Sequence, residues 1–562
     1  MSVPMIDPLS APKSVAQSRS RSLLLVLALT VVLIRGAFLA LTGVTFEDSL
    51  ISLRYAENFA SGLGMVYNAG ERVFGASTPL HVLFLAALTR LGLPAISVVK
   101  VVSACADGVT AYLWMRWFID RMGSVRAALA FAILFGISPL IVHVSVSGME
   151  TSFALLFLTL ALIGDLDDRP VMCGIGFGLL MLVRPDGAIA ATVVLSLRWL
   201  RTRKLPLQPA LLAILLVLPW IVIATWYYGT PLPNSIPAKA AAYNLHRTSI
   251  LPNIRGTLAQ FVPFAGSFGQ VCTAALICPL LIMGLAGARK TGRLWPVAVL
   301  FGVWWAYLVV PRTLIFSWYY PLLLLPAYVI AASGIVVLEQ RSAFPELRWP
   351  SQWSPRLLSL LAAAITIWLV LAGSNARQIQ VAEASVRKSI GMWLRENTPE
   401  DAQVAMEPIG YIGYFSRRRV LDEVGLVSPE MIPLNRAGAG WFPEMIERYR
   451  PAYIVERPVY LVLNKTLNSR VRIFRTPEER ERFVAQYEPV ATFSDSDVPK
   501  SLISDYRFVI FRRRSDAEAQ DWMRRYSDLS ATRQEDLLIR SLTGPVDSRP
   551  RTAERPAPPP AH

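Results

Sequence analysis

Between Thr45 and Leu91 the chain reads TFEDSLISLRYAENFASGLGMVYNAGERVFGASTPLHVLFLAALTRL, and the course of everything after it depends on how the last part is taken. The segment follows an apolar run, Leu23 to Leu41, and opens on adjacent carboxylates, Glu47 and Asp48. An amphipathic run comes next, in which Leu50, Leu53, Tyr55, Phe59 and Leu63 alternate with Arg54, Glu57 and Asn58; Gly62, Gly64, Asn68 and Gly70 then supply turn geometry. Two acids at a helix start also suit an ordinary N-terminal cap, because the macrodipole favours negative charge there. Leu80 to Leu91 is apolar but far short of the roughly 20 residues a spanning helix needs. It is therefore expected to lie in the interface rather than cross.

That choice fixes the direction of each later crossing. The polar, basic N-terminus, residues 1–22 with Lys13, Arg19 and Arg21, stays cytoplasmic, and Leu23 to Leu41 is an uncleaved anchor leading outward. The first outer loop is then 42–94. Spans follow at 95–119, 127–146, 153–163, 171–183, 188–200, 207–226, 272–285, 295–310, 320–338 and 357–371, about eleven in all, several of them under 17 residues. With this parity the clusters at 121–126, 198–204 and 289–293 fall inside, as the positive-inside rule requires; if 80–91 crossed, all three would be outside. Hydrophobic content of 53%, charged content of 17% and a mean hydropathy of +0.42 over 562 residues exclude a single soluble globule. The net charge of +16 sits mostly between apolar runs, so it is not read as a nucleic-acid footprint. Cys105, Cys173, Cys272 and Cys278 all fall in expected spans and suggest neither a disulfide framework nor a thiolate zinc site.

From about Asn375 the pattern becomes mixed: helices over Ile379–Asn397 and Pro443–Tyr449, strands at Gln403–Met406, Val420–Leu421, Tyr453–Glu456 and Phe508–Arg512. The expected organisation is a polytopic α-helical membrane module over 23–373 and an extracytoplasmic α/β domain over 374–515. A charged, Pro-rich tail expected to be largely disordered follows over 516–562.

The outward connections collect the chemistry: Glu47, Asp48, Arg54, Asn68 and His81; His143 and Glu150; Arg184 and Asp186; Tyr228, Asn234 and Lys239; Arg312 and Tyr319. Carboxylates beside Arg and Lys at one membrane face suit group transfer from a phosphate-bearing lipid. A carboxylate deprotonates an acceptor hydroxyl while cations hold the leaving phosphate. Each group also has a plainer reading. RPD at a span end suits snorkelling and a turn, and FSWYYP suits an aromatic belt. His143 suits packing, and Asp107, two turns from Lys100 inside a span, suits helix association as well as function.

On these residues the chain resembles the GT-C glycosyltransferases, multi-span enzymes that use polyprenyl-phosphate sugar donors. The resemblance is carried by the acidic pair, by RYAENFASGLGMVYNAGERVFGASTPL, SGMETSF, RPDG and YYGTPLPNSIPAKA, and by GYIGYFSRRRVLDEVGLVSPE in the C-terminal region. Within the class it is similar to bacterial terminal arabinofuranosyltransferases, with mannosyl and aminoarabinose transferases more distant. The resemblance implies an inverting transfer of a sugar, a pentofuranose such as arabinose among the candidates, to an extracytoplasmic glycan, lipid or protein, with the first-loop acid as general base. Many relatives show Asp-Asp or Asp-Glu where this chain has Glu-Asp; Asp48 is the first choice for the base and Glu47 the second. Lys239, Arg312 and Arg184 are expected to hold the donor phosphate. Arg54, Asn68, His81, His143, Glu150, Asp186, Tyr228, Asn234 and Tyr319 are expected to contact substrate. Some members of the class use a divalent ion, Mg or Mn, which this sequence neither demands nor excludes. The implied location is the inner membrane with membrane lipids as neighbours and the site facing outward. A flippase of lipid-linked sugars would instead show inverted repeats and midplane polar groups, and an assembly protein would tolerate loss of both acids.

Overall fold

The computed structural model describes residues 13–243, 250–259, 277–288, 293–310, 314–340, 370–374, 376–381, 383–465, 472–495 and 507–544. Helices of the first part are α1 (Lys13–Thr42), α2 (Glu47–Ala60), α3 (Pro79–Arg90), α4 (Ala95–Met122), α5 (Val125–Gly136), α6 (Pro139–Ser145), α7 (Thr151–Leu166), α8 (Pro170–Val183), α9 (Gly187–Thr202), α10 (Leu207–Tyr228), α11 (Ser235–Ala242), α12 (Leu251–Ala259), α13 (Ile277–Ala288), α14 (Trp295–Val309) and α15 (Pro321–Gln340).

Among the described residues, α1, α4, α10 and α15 are long and apolar enough to cross a membrane, and the bent pair α5–α6 makes up to five. The expectation of about eleven spans is therefore not met on length. At 1.5 Å per residue, α7, α8 and α14 reach only about 21–24 Å of the roughly 30 Å hydrocarbon core. The expected span 357–371 lies almost wholly outside the described residues, and so does the start of 272–285. The expected single span 127–146 is broken by 60° between α5 and α6. Pro139 sits at the start of α6 and pushes Ser138 out of the helical region, to φ −57°, ψ 115°. The break frees carbonyls at the end of α5, and Arg35 of α1 takes them: its guanidinium donates to Phe135 O at 3.0 Å and to Gly136 O. The same guanidinium meets Asp107 of α4, Nε to Oδ2 at 3.0 Å, and Ser145 donates to that oxygen at 2.8 Å. Asp107 thus pairs with Arg35 rather than with Lys100, which donates to Thr45 at 2.7 Å. α7 and α8 approach closely through small residues; a Cβ on Gly176 would stand 2.5 Å from the backbone nitrogen of Ala161.

The C-terminal part is a five-stranded sheet of β1 (Gln403–Met406), β2 (Arg419–Asp422), β3 (Tyr453–Glu456), β4 (Tyr487–Ser494) and β5 (Arg507–Arg513) in the order β2-β1-β3-β5-β4. β1 runs parallel to both β2 and β3, while β5 is antiparallel to β3 and β4. Alternation sends successive side chains to opposite faces. Val404, Met406, Val420, Val455, Phe508 and Ile510 share a core with Leu50, Tyr55 and Tyr67 of the first loop and Val82 and Leu85 of α3. Ala405, Leu421, Ile454, Val509 and Phe511 pack beneath helices Trp441–Tyr449 and Pro477–Gln486. Residues 516–543, expected to be largely disordered, are instead helices Asp516–Ser527 and Ala531–Thr543. Trp522, Tyr526, Leu538 and Leu542 fall at i, i+4 spacing and join that second core. A Ser515/Glu518 capping box starts the first of them.

Polar ties lock the first loop to this domain. Arg54 donates to Tyr67 O (3.0 Å), Gly413 O (2.6 Å) and Arg418 O (2.7 Å). Asn68 treats the edge of β2 as a strand partner would, donating to Val420 O at 2.9 Å and accepting from Val420 N at 3.0 Å. Gly75 passes where no side chain fits, since a Cβ would lie 2.5 Å from the Tyr55 hydroxyl and 2.7 Å from Leu426 O.

Candidate active site

Glu47 and Asp48 are the first two residues of α2, where the helix dipole favours negative charge. Neighbours on a helix diverge by about 100°, and the two carboxylates accordingly part company. Glu47 turns into the C-terminal domain: its Oε1 accepts from Tyr411 N at 3.1 Å, and its Oε2 from Arg387 Nη1 at 3.1 Å. Arg387 is shared with Glu383 at 3.3 Å, so its charge is divided. Burial therefore outweighs Arg387, and with Glu383 and Asp48 adding repulsion the Glu47 carboxyl is pushed up to about 7.

Asp48 turns the other way. Its Oδ2 lies 3.5 Å from Nζ of Lys239 on α11, both side chains remaining partly exposed. That is longer than the roughly 2.7–2.9 Å of a tight charge-assisted bond, and it leaves the ammonium able to take a second acceptor. Phe316, Trp318 and Tyr319 wall the ammonium, with ring centroids at 5.2, 5.7 and 5.9 Å. Asp48 and Lys239 stand on the wall common to two cavities. The larger, 660 Å³, extends from Glu47 and Arg387 to Glu407, Asp422, Glu423, Glu456 and Arg457 of the C-terminal domain. The smaller, 370 Å³, runs among the helices past Glu150, Arg184, Asp186, Tyr307 and Tyr319.

Arg184 is already paired in this second cavity. It grips Asp186 through two bonds of 3.0 and 2.9 Å, reaches Glu150 at 3.2 Å and Trp318 O at 3.3 Å, and lies over the Tyr319 ring. Its charge is compensated before any anion arrives. Among the described residues Lys239 has a single carboxylate neighbour, at 3.5 Å, and is the less compensated of the two cations.

Other residues singled out from sequence lie elsewhere. Arg54 and Asn68 hold the first loop to the sheet, as described, and line neither cavity. His81 is buried against Phe153 with Nε2 3.2 Å from Gly148 O. His143 packs between Phe38 and Phe46. Tyr228 donates to Met65 O at 2.6 Å, and Asn234 to Gly425 O and Leu426 O at 2.6 and 3.0 Å, so both frame the cavities from behind. Arg312 lies outside the described residues. Arg387, Glu407, Glu456 and Arg457 escaped the sequence reading, for they sit in a domain with no motif of its own. Only the Asp422-Glu423 pair within GYIGYFSRRRVLDEVGLVSPE offered a signal.

Among the described residues no group of three or more His, Cys, Asp or Glu side chains converges as metal ligands. Glu47, tied to Arg387, and Asp48, facing Lys239, do not fit a divalent-ion site.

Comparison with known proteins bears on the fold. Archaeal oligosaccharyltransferase AglB from Archaeoglobus fulgidus, solved with an inhibitory peptide and a dolichol-phosphate, superposes with a TM-score of 0.50 at 13% identity, over 85% of this chain and 75% of that one. This chain shares the overall fold of that oligosaccharyltransferase. ArnT from Cupriavidus metallidurans gives TM-scores of 0.49 in the apo state (16% identity) and 0.47 bound to undecaprenyl phosphate (15%), each over 88% of this chain and 98% of that one. Residues 374–516 match a family model described as a domain of unknown function, DUF8728. No curated protein matches the sequence.

Glu47 carries a first prediction. Folding raises its carboxyl from 4.5 to about 7, so the native state binds the proton more tightly than the unfolded chain. The stabilisation from that proton is complete below pH 4.5 and is lost as pH rises to about 7. Glu47→Gln keeps an oxygen for Tyr411 N and removes the titration. Thermal unfolding in detergent between about pH 4.5 and 7.5 should give a flatter profile for the variant than for wild type; parallel profiles would show that Glu47 is not the titrating group.

Proposed function

We propose that the chain is a membrane glycosyltransferase that moves a sugar from a polyprenyl-phosphate donor to an acceptor hydroxyl with inversion. The observation carrying this reading is the place of Asp48, beside Lys239 on the wall common to the two cavities. In this reading the donor's phosphate enters the helix-lined cavity and meets Lys239, and the acceptor enters the cavity under the C-terminal domain. Asp48 takes the proton from the acceptor hydroxyl. The oxygen attacks the anomeric carbon as the bond to the phosphate oxygen breaks on the opposite face, and polyprenyl phosphate leaves with its charge held by Lys239. Drawn toward the phosphate, Lys239 loosens its hold on Asp48, so the base is released only when donor is present. Arg184, pinned by Glu150 and Asp186, positions the Trp318–Tyr319 wall through the Trp318 carbonyl and the Tyr319 ring. The likeness to AglB supports the architecture; the pentofuranose, the outward-facing site and the inner-membrane location rest on the sequence resemblance and on charge asymmetry.

The test is sugar release from synthetic polyprenyl-phosphate sugars by the purified full chain in detergent, with Lys239→Gln beside wild type. Donor affinity should weaken about tenfold or more in the variant, the worth of one charge-assisted contact. Wild type that binds donors yet releases no sugar to any acceptor or to water would sink the transferase reading.

A further inference from the structure

Three adjacent parallel strands end at the larger cavity, and each ends in acid. Glu407 follows β1, Asp422 closes β2 with Glu423 next, and Glu456 closes β3. In open α/β sheets the carboxyl ends of parallel strands are where ligands bind. Three of the four carboxyls are accounted for internally. Asp422 accepts from Val424 N and Val427 N, each at 3.0 Å. Glu407 is bonded by Arg457 at 2.5 Å, and Glu456 lies 3.8 Å from the same guanidinium. Glu423 is different. Its side chain, 5% exposed, lines the cavity, and its buried Oε1 has no hydrogen-bond partner among the described residues. A buried carboxyl oxygen left in this state costs free energy, and because Glu423 lines an open cavity, a group entering that cavity can meet it. Trp441 and Tyr460 line the same cavity beside the acids, the Arg457 guanidinium lying over the Tyr460 ring at 5.4 Å.

We propose that the carboxyl ends of β1, β2 and β3 form a saccharide subsite that holds a neutral, hydroxyl-rich glycan end, with Glu423 as its central hydrogen-bonding group. Carboxyl oxygens accept from sugar hydroxyls, Arg457 can donate to ring or hydroxyl oxygens, and the aromatic faces suit the C–H side of a sugar ring. The acids repel phosphate or uronate groups. A cationic sugar is the nearest rival; burial together with Glu456 and Glu407 raises the Glu423 carboxyl well above its ordinary value, which weakens its pull on an ammonium and leaves hydroxyls the better partners. That the occupant is the acceptor rests on the transferase reading; that the subsite binds neutral sugar does not.

Saturation-transfer NMR on the full chain in detergent, without donor, tests it with methyl pentofuranosides, methyl hexopyranosides, a methyl glucuronide and a methyl glucosaminide. The neutral glycosides should bind, and Glu423→Leu and Tyr460→Leu should each weaken them about tenfold, the worth of one good buried contact. Neutral glycosides that fail to bind, tighter binding of the glucosaminide, or unchanged affinity in both variants at wild-type thermal stability would overturn the proposal. Glycoside binding by a chain that releases no sugar from any donor would leave the subsite standing and remove the transferase reading alone.

Discussion

Asp48→Asn should lower turnover of sugar transfer by about two to four orders of magnitude, the contribution usual for a positioned general base. Asparagine keeps the shape and can still accept from Lys239, so the cavity walls stay in place and donor should bind with nearly unchanged affinity. The signature is a fall in kcat with little change in donor KM. Glu47→Gln is the internal control. Its carboxyl is committed to Tyr411 and Arg387, so the variant should retain most of its turnover. If Glu47→Gln proves the dead variant and Asp48→Asn the active one, the assignment of the base is reversed, and the divergence of the two side chains must be relieved when substrate binds.

The second large effect is on stability. Arg35→Leu should destabilise the folded protein by about 3–5 kcal/mol, the usual cost of stripping the partner from a buried ion. Both Arg35 and Asp107 are 0% exposed, and the substitution also deprives the end of α5 of its donor to Phe135 O and Gly136 O. Replacing both members, Arg35→Leu with Asp107→Leu, should recover part of the loss, because the stranded carboxylate is then gone. Thermal unfolding in one detergent checks both; a single variant as stable as wild type would mean that water or lipid reaches Asp107.

How much of this was legible in the chain follows from the range of each interaction. The acidic pair, its helix and the turn glycines are local features, and so are the short β-branched strands. β4 was missed because Pro489 and Glu488 spoil its pattern; it is an edge strand that tolerates both, with an irregularity at Pro489. The helices after Asp516 were hidden by charge, although Trp522, Tyr526, Leu538 and Leu542 kept helical spacing. Arg54 and Asn68 resembled ligand-binding groups because polar residues in a shaped loop have that look. Their partners lie more than 340 positions away, at Gly413, Arg418 and Val420, where no local pattern points. The acids at the ends of β1, β2 and β3 converge only through the sheet order, which a linear reading does not contain.

The core shared by the first loop and the sheet has a consequence for biogenesis. Leu50 and Tyr55 leave the ribosome early, but Phe508 and Ile510, which close over the same core, are made about 450 residues later. At about 5–20 residues per second that is a delay of roughly 20–90 s. Through that interval the first loop stands without its roof, its apolar residues a target for proteases and chaperones. A chain cut short before residue 507 would lack the strand that closes this core, so the proposed transferase site is complete only when its last strand arrives.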